Sequence, residues 1–220
     1  MTDIKFSNTT SLTDDIVDIL RDRILKGEYV IGEKIIENQI AAELCVSRTP
    51  IRDAFRQLEY EGLIDYIPHR GSFAKGFTRQ DMEDIYSVRK ALEQLAVEWA
   101  IERIDDAEIE KLQEQMELME FYTKRKDCEK VMDINVAFHE IIYSAARSRF
   151  LAQILKSYQD YVQQARRATV SDEENLPVIA AEHKDILQAI MLKDVEEARN
   201  RIGIHLDNSK NRATIKWHIK

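Results

Sequence analysis

From residue 12 onward the apolar side chains recur at helical spacing. Leu12, Ile16, Ile19, Leu20 and Ile24 fall on one stripe, and a stripe of that period predicts an amphipathic helix. Ser11 or Thr13 can cap it, and Gly27 ends it near Lys26. GEYVIGEKI, with two glycines, reads as a turn into a second segment whose inward face is Ile36, Ile40, Ala41 and Leu44. Cys45-Val46-Ser47 is a short connector. A third helix then starts near Arg48 or Thr49, with Ser47 placed to cap it and Pro50 in its first turn, where a missing N–H costs nothing. Ile51, Ala54, Phe55 and Leu58 face inward and Gly62 stops it.

Beyond Gly62 the pattern changes. Leu63, Ile64, Tyr66 and Ile67 favour a strand, Pro68-His69-Arg70-Gly71 a turn, and Ser72-Phe73-Ala74 a returning strand. Lys75–Arg79 is the expected junction, and Thr78-Arg79-Gln80-Asp81 has capping-box spacing. Helical periodicity then predicts helices near 79–102, 106–125, 129–146, 149–169, 177–192 and 194–214, punctuated by Asp105 or Asp106, Ser148 and the Leu176-Pro177 step. Six glycines and three prolines in 220 residues agree with this mainly α reading. The expected architecture is a flexible lead-in at 1–10, a three-helix unit with a hairpin at 11–76, and an antiparallel bundle of about six helices at 77–215.

Composition narrows the function classes. Two cysteines, Cys45 and Cys128, make no disulfide framework, and neither a signal peptide nor a membrane-length apolar run is apparent. These features point to a soluble cytoplasmic protein. The net charge of -8 argues against indiscriminate coating of nucleic acid. Residues 1–76 alone carry ten basic and thirteen acidic side chains, so a nucleic-acid role there must rest on where the charges sit.

Their placement is informative. Arg48, Arg52 and Arg56 are four apart and share the helix face opposite Ile51, Phe55 and Leu58. A helix fits the major groove, and arginine's planar fork matches a guanine edge or a phosphate. A solvated face balanced by Asp53 and Glu59 is the plain alternative. The short connector before this helix, and the basic pair His69-Arg70 at the hairpin tip, favour nucleic acid.

The segments LRDRILKGEYVIGEKI, QIAAELCVSRTPIRDAFRQLEYEGLI and IPHRGSFA resemble the winged helix-turn-helix of the GntR superfamily of bacterial transcription regulators. VIGEKI departs from the proline-glycine common in that family. The resemblance implies that Arg48 and Arg52 contact bases and phosphates of double-stranded DNA, with Thr49 facing the DNA beside them. Asn38 matches a further contact position, and His69, Arg70 and Gly71 form the wing tip. Arg56 extends the same stripe.

His139, His183 and His205 lie in three separate predicted helices, each beside apolar residues on the inward side. Asn135 precedes His139 by one turn. Three imidazoles and an amide oxygen could converge on a divalent metal; three buried, hydrogen-bonded histidines are the alternative. RKALEQLAVEWA, NVAFHEII, AEHKDILQAI and the later IHL resemble the all-helical FCD domain of the FadR-type branch. That likeness implies a divalent metal, zinc or nickel, held by Asn135, His139, His183 and His205. It also implies a pocket arginine at Arg89, able to pair with a small organic acid effector or with Glu93 one turn on. Tyr86, Tyr143 and Tyr158 could line that pocket or simply pack the core.

The resemblance implies a homodimeric, ligand-responsive repressor that binds an operator and no membrane. A metal-sensing repressor and a metal-dependent, hydrolase-like enzyme are the alternatives. Against the enzyme, Glu140 and Glu182 sit about 100° around their helices from His139 and His183, and neither has zincin spacing.

Overall fold

The computed structural model describes residues 11–25, 27–75, 78–167 and 173–217. The lead-in 1–10 and the helix end expected at Lys26 lie outside them. The chain divides into two compact units, Met1–Thr78 and Arg79–Lys220.

In the first unit, Ser11 and Asp14 cap α1 (Leu12–Leu25) reciprocally. The Asp14 N–H donates to Ser11 Oγ and the Ser11 N–H to Asp14 Oδ2, each at 3.2 Å. The buried stripe is Ile16, Val17, Leu20, Ile24 and Leu25. Leu12, expected inside, is 42% exposed. A helical side chain leans toward the N-terminus, and at the first residue no preceding turn remains for it to cover. α1 packs on α3 (Arg48–Tyr60), whose Ile51, Ala54, Phe55 and Leu58 are all buried as the periodicity predicts. The short α2 (Glu37–Glu43) contributes Ile40 and Ala41. Ile36 is not inside but occupies the position before α2, partly exposed. Ser47 holds the N-cap position of α3 with extended backbone, but its side chain makes no capping bond.

The hairpin exists as β2 (Ile64–Ile67) and β3 (Gly71–Ala74), with Ile67 opposite Gly71. It is one part of a three-stranded antiparallel sheet. β1 (Lys34–Ile35) joins β3 on its other side, giving the order β1-β3-β2. Two residues are too few to carry an alternating pattern, so GEYVIGEKI showed its glycines and hid its strand. The Gly32 N–H reaches the Ala74 carbonyl at 2.7 Å and extends the pairing. Gly71 has a φ of 100°, which strains any residue with a Cβ, and a Cβ there would also crowd Lys34 Cε at 3.1 Å.

The second unit comprises α4 (Arg79–Arg103), α5 (Asp106–Lys124), α6 (Cys128–Ala145), α7 (Arg149–Arg167), a 3-10 turn at Glu173–Asn175, α8 (Leu176–Met191) and α9 (Val195–Trp217). α4 packs against α6, α7 and α9; α5 lies against α6 and α8; α8 and α9 pack together. Tight connections end in left-handed residues Lys126, Arg147 and Lys193. Asp105 is the N-cap of α5 in a full capping box with Glu108, and Arg147 bridges both carboxylates. The core between these helices holds Val97, Leu112, Met119, Phe138, Ile142, Ile186, Ile202 and Leu206. No helix among the described residues is long and apolar enough to cross a membrane.

Asp105→Ala removes the cap and one partner of Arg147. It should lower stability by about 1–2 kcal/mol, read as a reduced urea midpoint at unchanged slope.

Candidate metal centre and nucleic-acid interface

The core of the second unit contains a polar cluster. His139 of α6, His183 of α8 and His205 of α9 are at most 1% exposed. Their ring centroids are 4.5 Å apart for His183 and His205, 5.2 Å for His139 and His205, and 5.4 Å for His139 and His183. One nitrogen from each lies within 4.8 Å of the others. The periodicity that puts Ile186, Ile202 and Phe138 inward brings these rings together.

Each imidazole is oriented by an oxygen at its Nδ1. His139 Nδ1 is 2.8 Å from Glu93 Oε2, His205 Nδ1 is 2.8 Å from Glu182 Oε2, and His183 Nδ1 is 2.8 Å from the Ile179 carbonyl. At His183 and His205 the Nδ1–H donated to oxygen leaves Nε2 as the lone-pair nitrogen; at His139 the Glu93 carboxylate is close but off the hydrogen-bond direction. The Nε2 atoms of His139 and His205 face each other at 3.3 Å. Two lone pairs at that distance repel unless a cation or proton lies between them. Tetrahedral zinc, with bonds of about 2.0–2.1 Å, separates its nitrogens by roughly 3.3–3.4 Å. Donor type, tautomer and spacing therefore fit a divalent metal. Asn135 is buried one turn before His139 on the same face of α6.

Around the histidines lies a second charged group. Arg89 and Glu93, both 1% exposed, form an ion pair through Nε and Oε1. Burial alone would raise the Glu93 carboxyl, but Arg89 and then His139 outweigh it and hold it well below the usual carboxylate range. Burial opposes the Arg89 charge, and Glu93 more than restores it. The Tyr143 hydroxyl is pushed well above its ordinary value by burial and then by the Glu93 charge. Arg89 Nη1 has no hydrogen-bond partner among the described residues. Tyr86 is buried with its hydroxyl 3.4 Å from Ser209 Oγ, and Tyr158 is half-buried on α7.

Sequence reasoning missed two of these roles. Glu93 was legible as the i,i+4 partner of Arg89, but its close contact with His139 crosses from α4 to α6. Glu182 follows the same logic. It neighbours His183 in sequence yet serves His205, while also accepting from Asn208 Nδ2 at 2.9 Å and from both Arg212 terminal nitrogens at 2.9 Å. Burial would raise its carboxyl, but the bonds from His205 and Arg212 bring it down to about 2.

The first unit presents a different surface. Arg48, Arg52 and Arg56 are each more than half exposed along α3, opposite its buried face. Thr49 and Asn38 are exposed beside them. Glu37 Oε2 lies 3.5 Å from Arg48 Nη2 and 3.9 Å from Arg52 Nε, and Asp53 lies 3.7 Å from Arg56. Exposed pairs of this length are worth well under about 1 kcal/mol, so they leave the guanidiniums available. A cleft of about 210 Å³ beside α3 is lined by Arg52, Phe55, Arg56, Tyr66 and Ser72 together with the acidic Glu37 and Glu59. At the β2–β3 tip His69 and Arg70 are exposed, and the Arg70 guanidinium stacks 5.5 Å from the Phe73 ring.

A basic helix after a tight turn, a sheet with a basic tip and a separate helical unit form a recurring combination. Residues 12–73 match the gntR family of bacterial regulatory proteins, and residues 84–208 match the FCD domain. The chain belongs to the GntR family. It is a DNA-binding transcription regulator with an FCD domain, not an enzyme. It is 30% identical to the HTH-type transcriptional regulator YdhC of Bacillus subtilis (strain 168), across 94% of this chain and 93% of that one. It is 27% identical to the gluconate operon transcriptional repressor of Bacillus licheniformis, across 90% and 83%. The fold of E. coli McbR/YncC superposes with a TM-score of 0.73 at 20% identity, over 95% of this chain and all of that one. The second unit of this GntR-family regulator therefore holds its histidine cluster within the FCD match.

Replacing Glu93 with Gln should expose how much the cluster depends on charge. It leaves Arg89 buried with a neutral partner and should cost on the order of 3 kcal/mol of stability, measured by urea denaturation followed by circular dichroism.

Proposed function

We propose that this GntR-family regulator is a homodimeric, cytoplasmic repressor released from its operator by a small organic acid, bound beside a divalent metal in the FCD domain. The observation that carries the reading is the three-histidine cluster with an oxygen 2.8 Å from every Nδ1 and the Nε2 atoms of His139 and His205 face to face at 3.3 Å. His139, His183 and His205, with Asn135, would hold zinc or nickel. When bound, the metal supplies a Lewis-acidic position for a carboxylate oxygen. Arg89, one of whose terminal nitrogens has no hydrogen-bond partner among the described residues, would pair with the acid's carboxylate. Tyr86 and Tyr143 would shape the space beside it. The repressor sign rests on the names of two relatives. One is the gluconate operon repressor already described. The other is the HTH-type transcriptional repressor RspR of Escherichia coli (strain K12), 22% identical over 90% of this chain.

On the DNA side, residues 11–76 would dock α3 in the major groove. Arg48 and Arg52 would read base edges and Arg56 would meet a phosphate, with Thr49 and Asn38 beside them. His69, Arg70 and Gly71 would follow the adjacent backbone or minor groove. Residues 77–215 would bind the acid and join the two protomers, so that two recognition helices meet a pseudo-palindrome. The acid changes operator affinity only by the difference in its binding to the two arrangements.

A metal-sensing repressor is the second reading. It is favoured by Glu93, which already neutralises Arg89 and lessens the need for an acid there. Operator titrations of metal-stripped and metal-loaded protein, with and without small carboxylic and sugar acids, separate the two. Acid-dependent release from the loaded protein supports the first reading. Release by metal alone supports the second.

Arg52→Ala should weaken operator binding by about 1–3 kcal/mol in a fluorescence-anisotropy titration, while the protein elutes at its native size. His183→Ala should lower bound zinc or nickel, measured by elemental analysis after dialysis, and metal content equal to the wild type would remove His183 from the site.

A further inference from the structure

The proposed ligand set is short of negative charge. Three neutral imidazoles and the amide of Asn135 carry none, yet a divalent ion among side chains at most 3% exposed needs anions close by. Two carboxylates stand next to the set, each 2.8 Å from the far nitrogen of a histidine, and only that of Glu182 is hydrogen-bonded to it. Their situations differ. Glu93 is paired with Arg89, and both side chains are 1% exposed, so its charge is largely matched inside the core. Glu182 is paired with Arg212, whose side chain is 18% exposed, and water screens part of that cation. Glu182 therefore has more charge to offer the histidines.

Glu182 is also the better fixed of the two. α9 presents His205, Asn208 and Arg212 on one face, at i, i+3 and i+7, and all three donate to this one carboxylate at 2.8–2.9 Å. Four hydrogen bonds leave it a single orientation. The bond from His205 Nδ1 fixes that ring's tautomer and turns its Nε2 toward the Nε2 of His139.

We infer that Glu182 is an outer-sphere positioning residue for the metal, holding His205 in its binding tautomer and supplying the negative charge that Asn135 does not. This rests on the metal reading above and extends it, because it makes affinity depend on a residue that does not itself bind the ion. It also predicts that a carboxylate placed at position 135 substitutes for the one at 182.

The test uses the full chain, with zinc alone as the probe in competition with a chromophoric chelator. Glu182→Gln should weaken zinc binding by about 10–100-fold. Asn135→Asp should strengthen it at least several-fold, and the double variant should recover most of the loss. A purely structural role for Glu182 would not be rescued by a charge at 135. Circular dichroism melts of the metal-free proteins check that each variant folds. Should Glu182→Gln fail to fold, Asn135→Asp alone still decides, because unchanged affinity there means the site is not short of charge. Wild-type zinc binding with no change in Glu182→Gln overturns the inference and leaves the metal reading standing. If the wild-type protein binds neither zinc nor nickel, the metal reading falls and takes this inference with it.

Discussion

The second unit is organised around one requirement: a guanidinium and a carboxylate, both cut off from water, must satisfy each other. Arg89 and Glu93 meet one turn apart on α4, and the second oxygen of Glu93 reaches His139 on α6. Burying either charge alone would cost several kcal/mol. α4 and α6 are thereby fixed in rotation as well as in distance, since a turn of either helix would separate the carboxylate from one partner. The ring of His139 is set by that constraint, and the ring of His205 is set by the equivalent bond from Glu182. Packing brings the three imidazoles near one another, and two carboxylates and the Ile179 carbonyl stand at their outer nitrogens.

The two units handle charge in opposite ways. In the helical unit, Arg89 and Glu93 are buried and paired at short range, which restricts their orientations. In the winged unit, the arginines of α3 lie in water with weak partners at 3.5–3.9 Å. A group that must exchange its partner for a phosphate or a guanine gains nothing from a strong pair in the free protein. A group that must hold a histidine at a fixed tautomer gains from having no alternative.

Much of the fold was legible because its signals are local. The inward face of α3 and the existence of the six later helices follow from period, and Asp105, Ser11 and Gly27 mark helix ends by residue type. The arginine stripe was legible for the same reason, since i,i+4 spacing fixes a shared face. What stayed hidden is non-local. β1 is too short to show a period. The exposure of Leu12 depends on where its helix begins. The links from Glu93 to His139 and from Glu182 to His205 join different helices, and no spacing along one helix encodes them. The three histidines were visible as inward residues, but only the packing of α6, α8 and α9 shows that their nitrogens share one space.

The acidic balance of the chain bears on how the α3 surface works. A net charge of -8 gives the chain no long-range pull on a polyanion, and beyond the screening length, about 8 Å at physiological salt, charge interactions are largely screened. In the proposed docking, attraction would be confined to the close approach of α3 and the sheet tip, which carry Arg48, Arg52, Arg56 and Arg70. Non-specific affinity comes from counterion release by phosphate contacts, and it scales with their number. A regulator with few such contacts and a repulsive remainder binds random DNA weakly, so a larger share of its affinity must come from base edges. Glu37 and Asp53 sharpen that balance. They lower the bare positive charge of the stripe without burying it, and in the proposed docking would leave the planar forks of the arginines, not their charge alone, to distinguish one sequence from another.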